Sequence, residues 1–172
     1  MNSNELAPQV AARLKSALPG AISDSYSDGR GLVIRCEPAA IREVLAFLRD
    51  DRQCPFDLLA NITAVDWSAW SRQDEQPDRP ARFSVIYNLY STSARARLFV
   101  EVFVETAAAL PSATPVYASA NWSEREVFDM FGLRFTGHPD LRRIYLSDDF
   151  AGHPLRKDFP RHGRQPQDHP QE

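Results

Sequence analysis

The side chains in this sequence that could carry chemistry are concentrated between residues 121 and 160. His138 and His153 each stand in a Gly-His-Pro triplet, and the carboxylates of Asp148 and Asp149 lie between them. Two histidines and a carboxylate can form the facial ligand set of non-haem iron, so a stand-alone metal-dependent enzyme is one hypothesis. Gly-His-Pro is also typical of a tight turn, because glycine tolerates unusual φ angles and proline fixes the exit. We favour the turn interpretation.

Three carboxylates, Glu124, Glu126 and Asp129, stand in a short charged stretch that ends at Gly132. A general acid–base pair normally needs a pocket, and nothing in the flanking sequence predicts one. The spacing instead favours structural roles in a helix. Glu124 or Glu126 completes a capping box with a polar residue three positions earlier, and Asp129 pairs with Arg125 one turn back. Gly132 would then end this helix.

Residues 133–172 have the composition of an extended segment. They contain too many prolines and charges to close into regular structure, yet too many apolar residues for a solvated disordered tail. Two basic phrases, Arg142-Arg143 and Arg156-Lys157, alternate with acidic ones, which suits complementary pairing across an interface. We therefore predict a docking segment that cannot form a core alone and is buried against another chain. Its apolar residues are Leu141, Ile144, Tyr145, Leu146, Phe150, Leu155 and Phe159.

Composition limits the remaining possibilities. A chain of 172 residues with 43% apolar content can form one domain with a core and a further appendage. Its formal charge of −3 is spread along the chain, which argues against nucleic-acid binding. Cys36 and Cys54 form no C-x-x-C pair, so we expect buried thiols and no iron–sulfur or cysteine-rich zinc site. The sequence shows neither a signal peptide nor a membrane-spanning run, which predicts a soluble protein that stays where it is made.

Hydrophobic periodicity alternates between helical and extended patterns over residues 1–132. The order α-β-β-α-β-β-β predicts an α+β domain with two layers, in which helices cover one face of a mixed, largely antiparallel sheet. We divide the chain into this domain, 1–132, and an extended C-terminal tail, 133–172.

No glycine-rich strand-to-helix turn is present to bind a dinucleotide. The pattern predicts a helix over 5–18, strands over 22–26 and 31–36 joined by an Asp-Gly turn, a helix over 38–50, a helical turn over 56–59, a strand over 61–67, a polar loop over 68–80 and a hairpin of strands 82–90 and 97–105.

Three motifs resemble the signature of a known family. EREVFDMFG at 124–132, GHPDLRRI at 137–144 and GHPLRKDFP at 152–160 are similar to those of the C subunit family of respiratory complex I, NADH:quinone oxidoreductase. Val65-Asp66-Trp67 and the strand from Arg82 to Leu89 also resemble that family's central sheet. The family's α+β fold with an extended C-terminal tail agrees with the order of elements above.

The resemblance implies a non-catalytic, cofactor-free structural subunit of the peripheral arm of a membrane-bound enzyme. That enzyme couples electron transfer from NADH to quinone to proton translocation. FMN and iron–sulfur clusters would lie in partner subunits, and catalytic, cofactor-binding and metal residues are expected to be absent from this chain. The tail would dock on the D subunit of the same complex, next to other peripheral-arm subunits, at the cytoplasmic face of a bacterial inner membrane. Membrane association would be indirect, through the complex.

The signature does not fix the electron donor. An equivalent subunit of a related membrane-bound hydrogenase, or of a photosynthetic NDH-type complex, therefore stays open. Whichever of these complexes contains the chain, the charged residues of the helix and tail are candidates for the partner interface. These candidates are Glu124, Arg125, Glu126, Asp129, His138, Arg142, Arg143, Asp148, Asp149, His153, Arg156, Lys157 and Asp158.

Overall fold

The computed structural model describes residues 3–27, 31–68 and 80–160, and a five-stranded sheet lies at its centre. The predicted α-β-β-α-β-β-β succession is present, followed by a helix between two short strands. In chain order the elements are α1 (Ser3–Ala17), β1 (Ile22–Ser27), β2 (Leu32–Cys36), a 3-10 turn (Pro38–Ala40), α2 (Ile41–Asp50), β3 (Leu58–Asp66), β4 (Phe83–Ser91), β5 (Ala96–Val104), β6 (Ala109–Pro111), α3 (Ala120–Phe131) and β7 (Arg134–Thr136).

The central sheet has the strand order β1-β2-β5-β4-β3, in which β2 and β5 are parallel and the other neighbours antiparallel. Alternation of apolar residues explains the pairing of β4 with β5. Every second residue from Phe83 to Leu89 is fully buried, and each lies opposite a buried residue of β5. The buried sides of the helices complete the same core, through residues such as Leu14, Leu45 and Val127. The predicted α+β fold is confirmed.

The helical turn predicted over 56–59 is wrong. β3 begins at Leu58, and Leu59 lies opposite Leu89 of β4 with 2% of its surface exposed. A short apolar stretch fits a helical turn and a strand equally well by its periodicity alone. Pairing with β4 decides the matter, because the extended backbone brings Leu59 into the core.

The short strands β6 and β7 pair in parallel and were not predicted. Leu110 of β6 lies opposite Phe135 of β7, and both residues belong to the apolar core, as does Leu133. The core therefore continues past residue 132, after which the extended tail was expected to begin. The division into 1–132 and 133–172 stays a prediction. The Asp-Gly turn and most of the polar loop lie outside the described residues.

The two cysteines are free and buried, as predicted. Burial, with a smaller contribution from the neighbouring Glu37 carboxylate, raises the pKa of the Cys36 thiol to about 12. Among the described residues, none of the helices is long and apolar enough to cross a membrane.

Candidate partner interface

Helix α3 carries the first four of the predicted interface residues, and the others lie in the segment that follows it. Helix α3 begins at Ala120. Its N-cap residue, Ser119, makes no side-chain capping hydrogen bond, so the predicted capping boxes are wrong. A turn in which the Ala120 N–H donates to Tyr117 O (3.0 Å) leads into the helix, and this early start places Glu124 beyond the first turn. The end is as predicted, with Gly132 in the left-handed region at φ 71°.

Glu124 faces the interior rather than the surface. It is fully buried, and its carboxylate accepts hydrogen bonds from Ser112 Oγ (2.7 Å) and the Ala113 N–H (2.5 Å). Burial raises the pKa of Glu124 to about 7, although these hydrogen bonds and the charge of Arg42 act in the opposite direction. Glu124 thus attaches the loop that follows β6 to α3, and its carboxylate is not on the surface.

Residues 137–160 fold back against α3, and we call them the strap. Leu141 packs on the apolar core, and the rings of Phe150 and Phe159 stack with their centroids 5.9 Å apart. The strap is therefore seated largely on its own chain. The expectation that this segment is buried against another chain stays a prediction, and Tyr145 (66% exposed) and Leu155 (51% exposed) leave apolar surface for such a contact.

Asp129 anchors the middle of the strap. It is fully buried, and its Oδ2 accepts backbone N–H groups of Ile144 (3.1 Å), Tyr145 (2.8 Å) and Leu146 (3.1 Å). Its Oδ1 accepts Arg143 Nη1 at 3.0 Å. Burial alone would raise the pKa of Asp129, but these donors outweigh it and hold the pKa below its usual value. The ionised carboxylate fixes the path of the strap across the helix.

Arg125 does not form the predicted ion pair with Asp129. Its Nε donates to Arg142 O (3.1 Å) and its Nη2 to Arg143 O (3.3 Å). Donors from the strap already occupy both Asp129 oxygens, and strap carbonyls approach the helix at Arg125 instead. The guanidinium also lies over the ring of Trp122, 4.9 Å from its centroid.

The strap supplies donors to the last carbonyl groups of α3, which have no partner within a helix. Gly132 lies beneath two of the donating side chains, and a Cβ added there would collide with the His153 ring and the Arg156 guanidinium. Glycine is required by this close approach and by its positive φ. The three bonds run from His153 Nδ1 to Asp129 O (2.9 Å), from the Leu155 N–H to Met130 O (3.1 Å) and from Arg156 Nε to Phe131 O (2.5 Å).

The structure does not bring the two histidines together. His138 Nε2 donates to Asn121 O (3.1 Å) while its Nδ1 accepts the Asp140 N–H (3.0 Å), and His153 bonds to Asp129 O. Asn121 and Asp129 are eight positions apart on α3, about 12 Å along the axis. No cluster of three potential metal ligands occurs within the described ranges. The glycines before both histidines have positive φ, 80° and 105°, as the turn interpretation predicts.

A second buried carboxylate holds the far end of the strap. Asp66, the last residue of β3, accepts two hydrogen bonds from Arg82 (3.1 and 2.7 Å) and one from the Lys157 N–H (2.9 Å). Burial opposes ionisation, but these donors and the backbone of Ser68 hold the pKa of Asp66 far below its usual value. Arg82 also bridges to Asp158 at 3.0 Å. Sequence reasoning missed this joint because Asp66 and Lys157 are 91 positions apart.

The predicted interface residues divide into two sets. The inner set bonds to the chain itself and holds the strap and α3 in place. It consists of Glu124, Arg125, Asp129, His138, Arg143, His153 and Arg156. The outer set is exposed, and it consists of Glu126, Arg142, Asp148, Asp149, Lys157 and Asp158.

Residues 34–165 match the model of the family described as "Respiratory-chain NADH dehydrogenase, 30 Kd subunit". The chain belongs to this family. The matched range includes the sheet from β2 onward, α3 and the whole strap, so the resemblance predicted from the motifs is confirmed.

Curated proteins of similar sequence support the same family assignment. The NADH-quinone oxidoreductase C subunit of Rhodobacter capsulatus is 40% identical over 160 residues, which are 93% of this chain and 76% of that protein. The C subunit of Caulobacter vibrioides is 44% identical over 145 residues, 84% of this chain and 68% of that protein. A chain in the structure of the membrane-bound sulfane sulfur reductase, an archaeal respiratory membrane complex, is 24% identical with a TM-score of 0.68. That match covers 90% of this chain and 85% of the other, and it shows a shared fold.

Proposed function

We propose that this chain is a non-catalytic, cofactor-free structural subunit of the peripheral arm of a membrane-bound NADH:quinone oxidoreductase. The complex couples electron transfer from NADH to quinone to proton translocation. The family match over residues 34–165 carries this proposal, because it includes most of the central sheet and the whole strap. By this account no residue of the chain takes part in the chemical step.

The partners follow from the same proposal. The D subunit of the complex receives the strap side of the molecule, and other peripheral-arm subunits lie beside it. FMN and iron–sulfur clusters reside in partner subunits, and the chain associates with the cytoplasmic face of a bacterial inner membrane through the complex. The structure supports a docking role through the outer set, which is exposed along α3 and the strap.

A strap fixed before assembly favours tight docking. Ordering a flexible segment at an interface costs about 0.5–1.5 kcal/mol for each immobilised side chain. Asp129 and Asp66 already hold the strap backbone at two places, through Ile144, Tyr145, Leu146 and Lys157. Much of this ordering cost is therefore met when the chain folds rather than when it binds.

The two sets of charges provide a direct test. Reversing an exposed pair, Asp148→Lys with Asp149→Lys, should lower incorporation into the membrane complex while the unfolding temperature of the purified chain stays within about 2 °C, because surface changes alter stability little. Reversing the inner pair, Arg143→Glu with Arg156→Glu, should destabilise the purified chain itself, since Arg143 faces the buried Asp129. Incorporation is measured by copurification with the tagged chain from mildly solubilised membranes.

Full incorporation of the exposed-pair variant would contradict docking by the strap. Point variants are preferable to truncation after Gly132, which would also remove Leu133 and Phe135 from the core. Identification of the copurified chains tests the rest of the proposal. A partner with flavin- and NADH-binding motifs establishes the donor, whereas a nickel–iron protein or photosynthetic partners would indicate the related hydrogenase or NDH-type complex. Absence of any membrane complex would overturn the proposed function.

A further inference from the structure

Exposed aromatic and aliphatic side chains are concentrated on one part of this molecule. Five large apolar side chains are exposed in the described residues, and the three most exposed belong to α3 or the strap. They are Trp122 (65%), Tyr145 (66%) and Leu155 (51%), compared with Tyr26 (37%) and Leu58 (45%) elsewhere. Tryptophan and tyrosine are enriched among the residues that dominate binding energy at protein interfaces.

Each of the three residues lies on α3 or is hydrogen-bonded to it through its backbone, and we call the three together the strip. Tyr145 is attached to the helix through its N–H, which donates to Asp129, and Leu155 through its N–H, which donates to Met130 O. Trp122 lies on the helix itself, eight positions before Met130, or about 12 Å along the axis. A strip of this length fits within one side of an ordinary protein–protein interface.

The strip is held in place by contacts within the chain. The Arg125 guanidinium lies over the Trp122 ring, 4.9 Å from the ring centroid. Its Nε and Nη2 atoms donate hydrogen bonds to the backbone carbonyl groups of Arg142 and Arg143 in the strap. Anchors that are fixed before binding lose less conformational entropy on docking. The structure therefore presents three apolar side chains to solvent from a backbone that is held by hydrogen bonds within the chain.

The charges around the strip are mainly acidic. Glu126 follows Trp122 by one helical turn, and Asp148 and Asp149 follow Tyr145 within four positions; all three are exposed. Of the exposed basic side chains near the strip, Arg142 is paired with Asp140 at 2.9 Å, which leaves Lys157 beside Leu155. An acidic rim around apolar anchors is complementary to a basic surface.

We propose that Trp122, Tyr145 and Leu155 dock into an apolar pocket of a protein partner whose rim carries arginine or lysine side chains. The inference rests on the proposed function, since the partner is a neighbouring protein of the same membrane complex. It assigns the binding energy to three apolar anchors and the orientation to the acidic rim formed by Glu126, Asp148 and Asp149. The inner charges support the anchors without touching the partner.

A competition assay tests the anchors. Tagged full-length chain is expressed beside the untagged wild type, membranes are mildly solubilised, and the ratio of tagged to untagged chain in the purified complex is measured. Trp122→Ala with Tyr145→Ala should reduce that ratio at least tenfold. Leu58→Ala, which removes an exposed apolar side chain from β3, should leave it within twofold, and all variants should unfold near the wild-type temperature.

The rim is tested by charge reversal and cross-linking. Glu126→Lys with Asp148→Lys and Asp149→Lys should also lower the ratio at least tenfold. A photoreactive phenylalanine analogue in place of Tyr145 should cross-link to a peptide that belongs to one protein of the complex and contains several basic residues. Cross-links to lipid, to a second copy of this chain or to an acidic peptide would overturn the proposal.

The failures can be told apart. If the wild-type chain enters the membrane complex and the double anchor variant enters equally well, or Leu58→Ala is lost as severely, the docking strip is refuted while the proposed function stands. If the wild-type chain enters no respiratory complex, the proposed function fails first.

Discussion

The sheet with its helices and the joint, by which we mean the contacts of Asp129 on α3 and Asp66 on β3 with the strap, are stabilised by different interactions. In the sheet, buried residues such as Val85, Leu89 and Val100 make apolar contacts that do not depend on ionisation. In the joint, the buried carboxylates of Asp129 and Asp66 accept hydrogen bonds from the backbone of the strap. The sheet tolerates apolar exchange of similar volume, whereas the joint depends on individual oxygen and nitrogen atoms.

The difference shows how a chain can present a segment without secondary structure in one conformation. The strap makes no helix or strand within the described residues, yet four of its backbone N–H groups donate to carboxylates placed on α3 and β3. Its position is therefore fixed by the folded body. Four measurements can separate the joint from the sheet.

Asp129→Asn should have the largest effect. The amide places a donor where Oδ2 now accepts three backbone N–H groups, so we expect a loss of about 4 kcal/mol in the free energy of unfolding. Denaturant unfolding of the purified chain measures it. Asp149→Asn, at an exposed position of the strap, is the matched control and should stay within about 0.5 kcal/mol of the wild type. Equal losses in both variants would show that the joint has no special dependence on Asp129.

Gly132→Ala should have the next largest effect. The residue has a positive φ, and a Cβ there would displace His153 and Arg156, so we expect a loss of about 3 kcal/mol in the free energy of unfolding. Gly20→Ala isolates the backbone contribution, because Gly20 has φ 81° with no neighbouring atom within 4 Å, and should cost about 1 kcal/mol. Similar losses at the two positions, measured by denaturant unfolding, would mean that the strap adapts freely to the methyl group.

The ionisation of Glu124 should have an intermediate effect on the free energy of unfolding. Its pKa in the fold is about 7, above the ordinary value of 4.5, so its stabilising contribution is full below pH 4.5 and is lost as the pH rises through about 7. Between these values the wild type should lose up to about 1.4 kcal/mol per pH unit relative to Glu124→Gln. Unfolding of both proteins from pH 5 to 8 gives the difference.

Other titrating groups do not obscure this comparison. Burial, with the charges of Arg156 and Arg143, lowers the pKa of His153, so its contribution is present above its ordinary value of 6.5 and is lost as the pH falls through the lowered pKa. That contribution is common to both proteins and cancels in their difference. A difference that does not change with pH would contradict the raised pKa of Glu124.

Lys157→Ala should have the smallest effect. Lys157 reaches Asp66 through its backbone N–H, so loss of its exposed side chain should change the free energy of unfolding by no more than about 0.5 kcal/mol. Arg82→Ala removes both side-chain bonds to the same buried carboxylate and should cost about 2 kcal/mol. A larger loss for Lys157→Ala than for Arg82→Ala would contradict the assignment of the joint to Arg82 and the backbone.

Much of the fold could be predicted because its signals are local. Alternation along 82–90 and 97–105 predicted the hairpin of β4 and β5, and helical spacing from Ile41 to Leu48 predicted α2. The motif at 124–132 predicted α3 and its end at Gly132. Local spacing misjudged the start of α3, since that start depends on a turn around Tyr117, and it gave Arg125 the wrong partner.

The site could be predicted only as a set of residues. The sequence proposed a set of residues for a partner interface, which stays a prediction, and it did not separate the outer set from the inner set. It also did not single out Trp122 or Asp66. No local sequence pattern distinguishes an exposed tryptophan on a helix from a buried one. The same is true of a buried and an exposed aspartate at the end of a strand.

The sequence by itself determined the α+β succession and the family, because periodicity and motif identity are properties of neighbouring residues. Tertiary structure alone decided which way each charged side chain faces. The reason is that these contacts join separate parts of the chain. The strap residues that bond to Asp129 lie 14–17 positions from it, and the strap residue that bonds to Asp66 lies 91 positions from it. Only folding brings these donors to the carboxylates, and only then do the remaining residues become an outer surface.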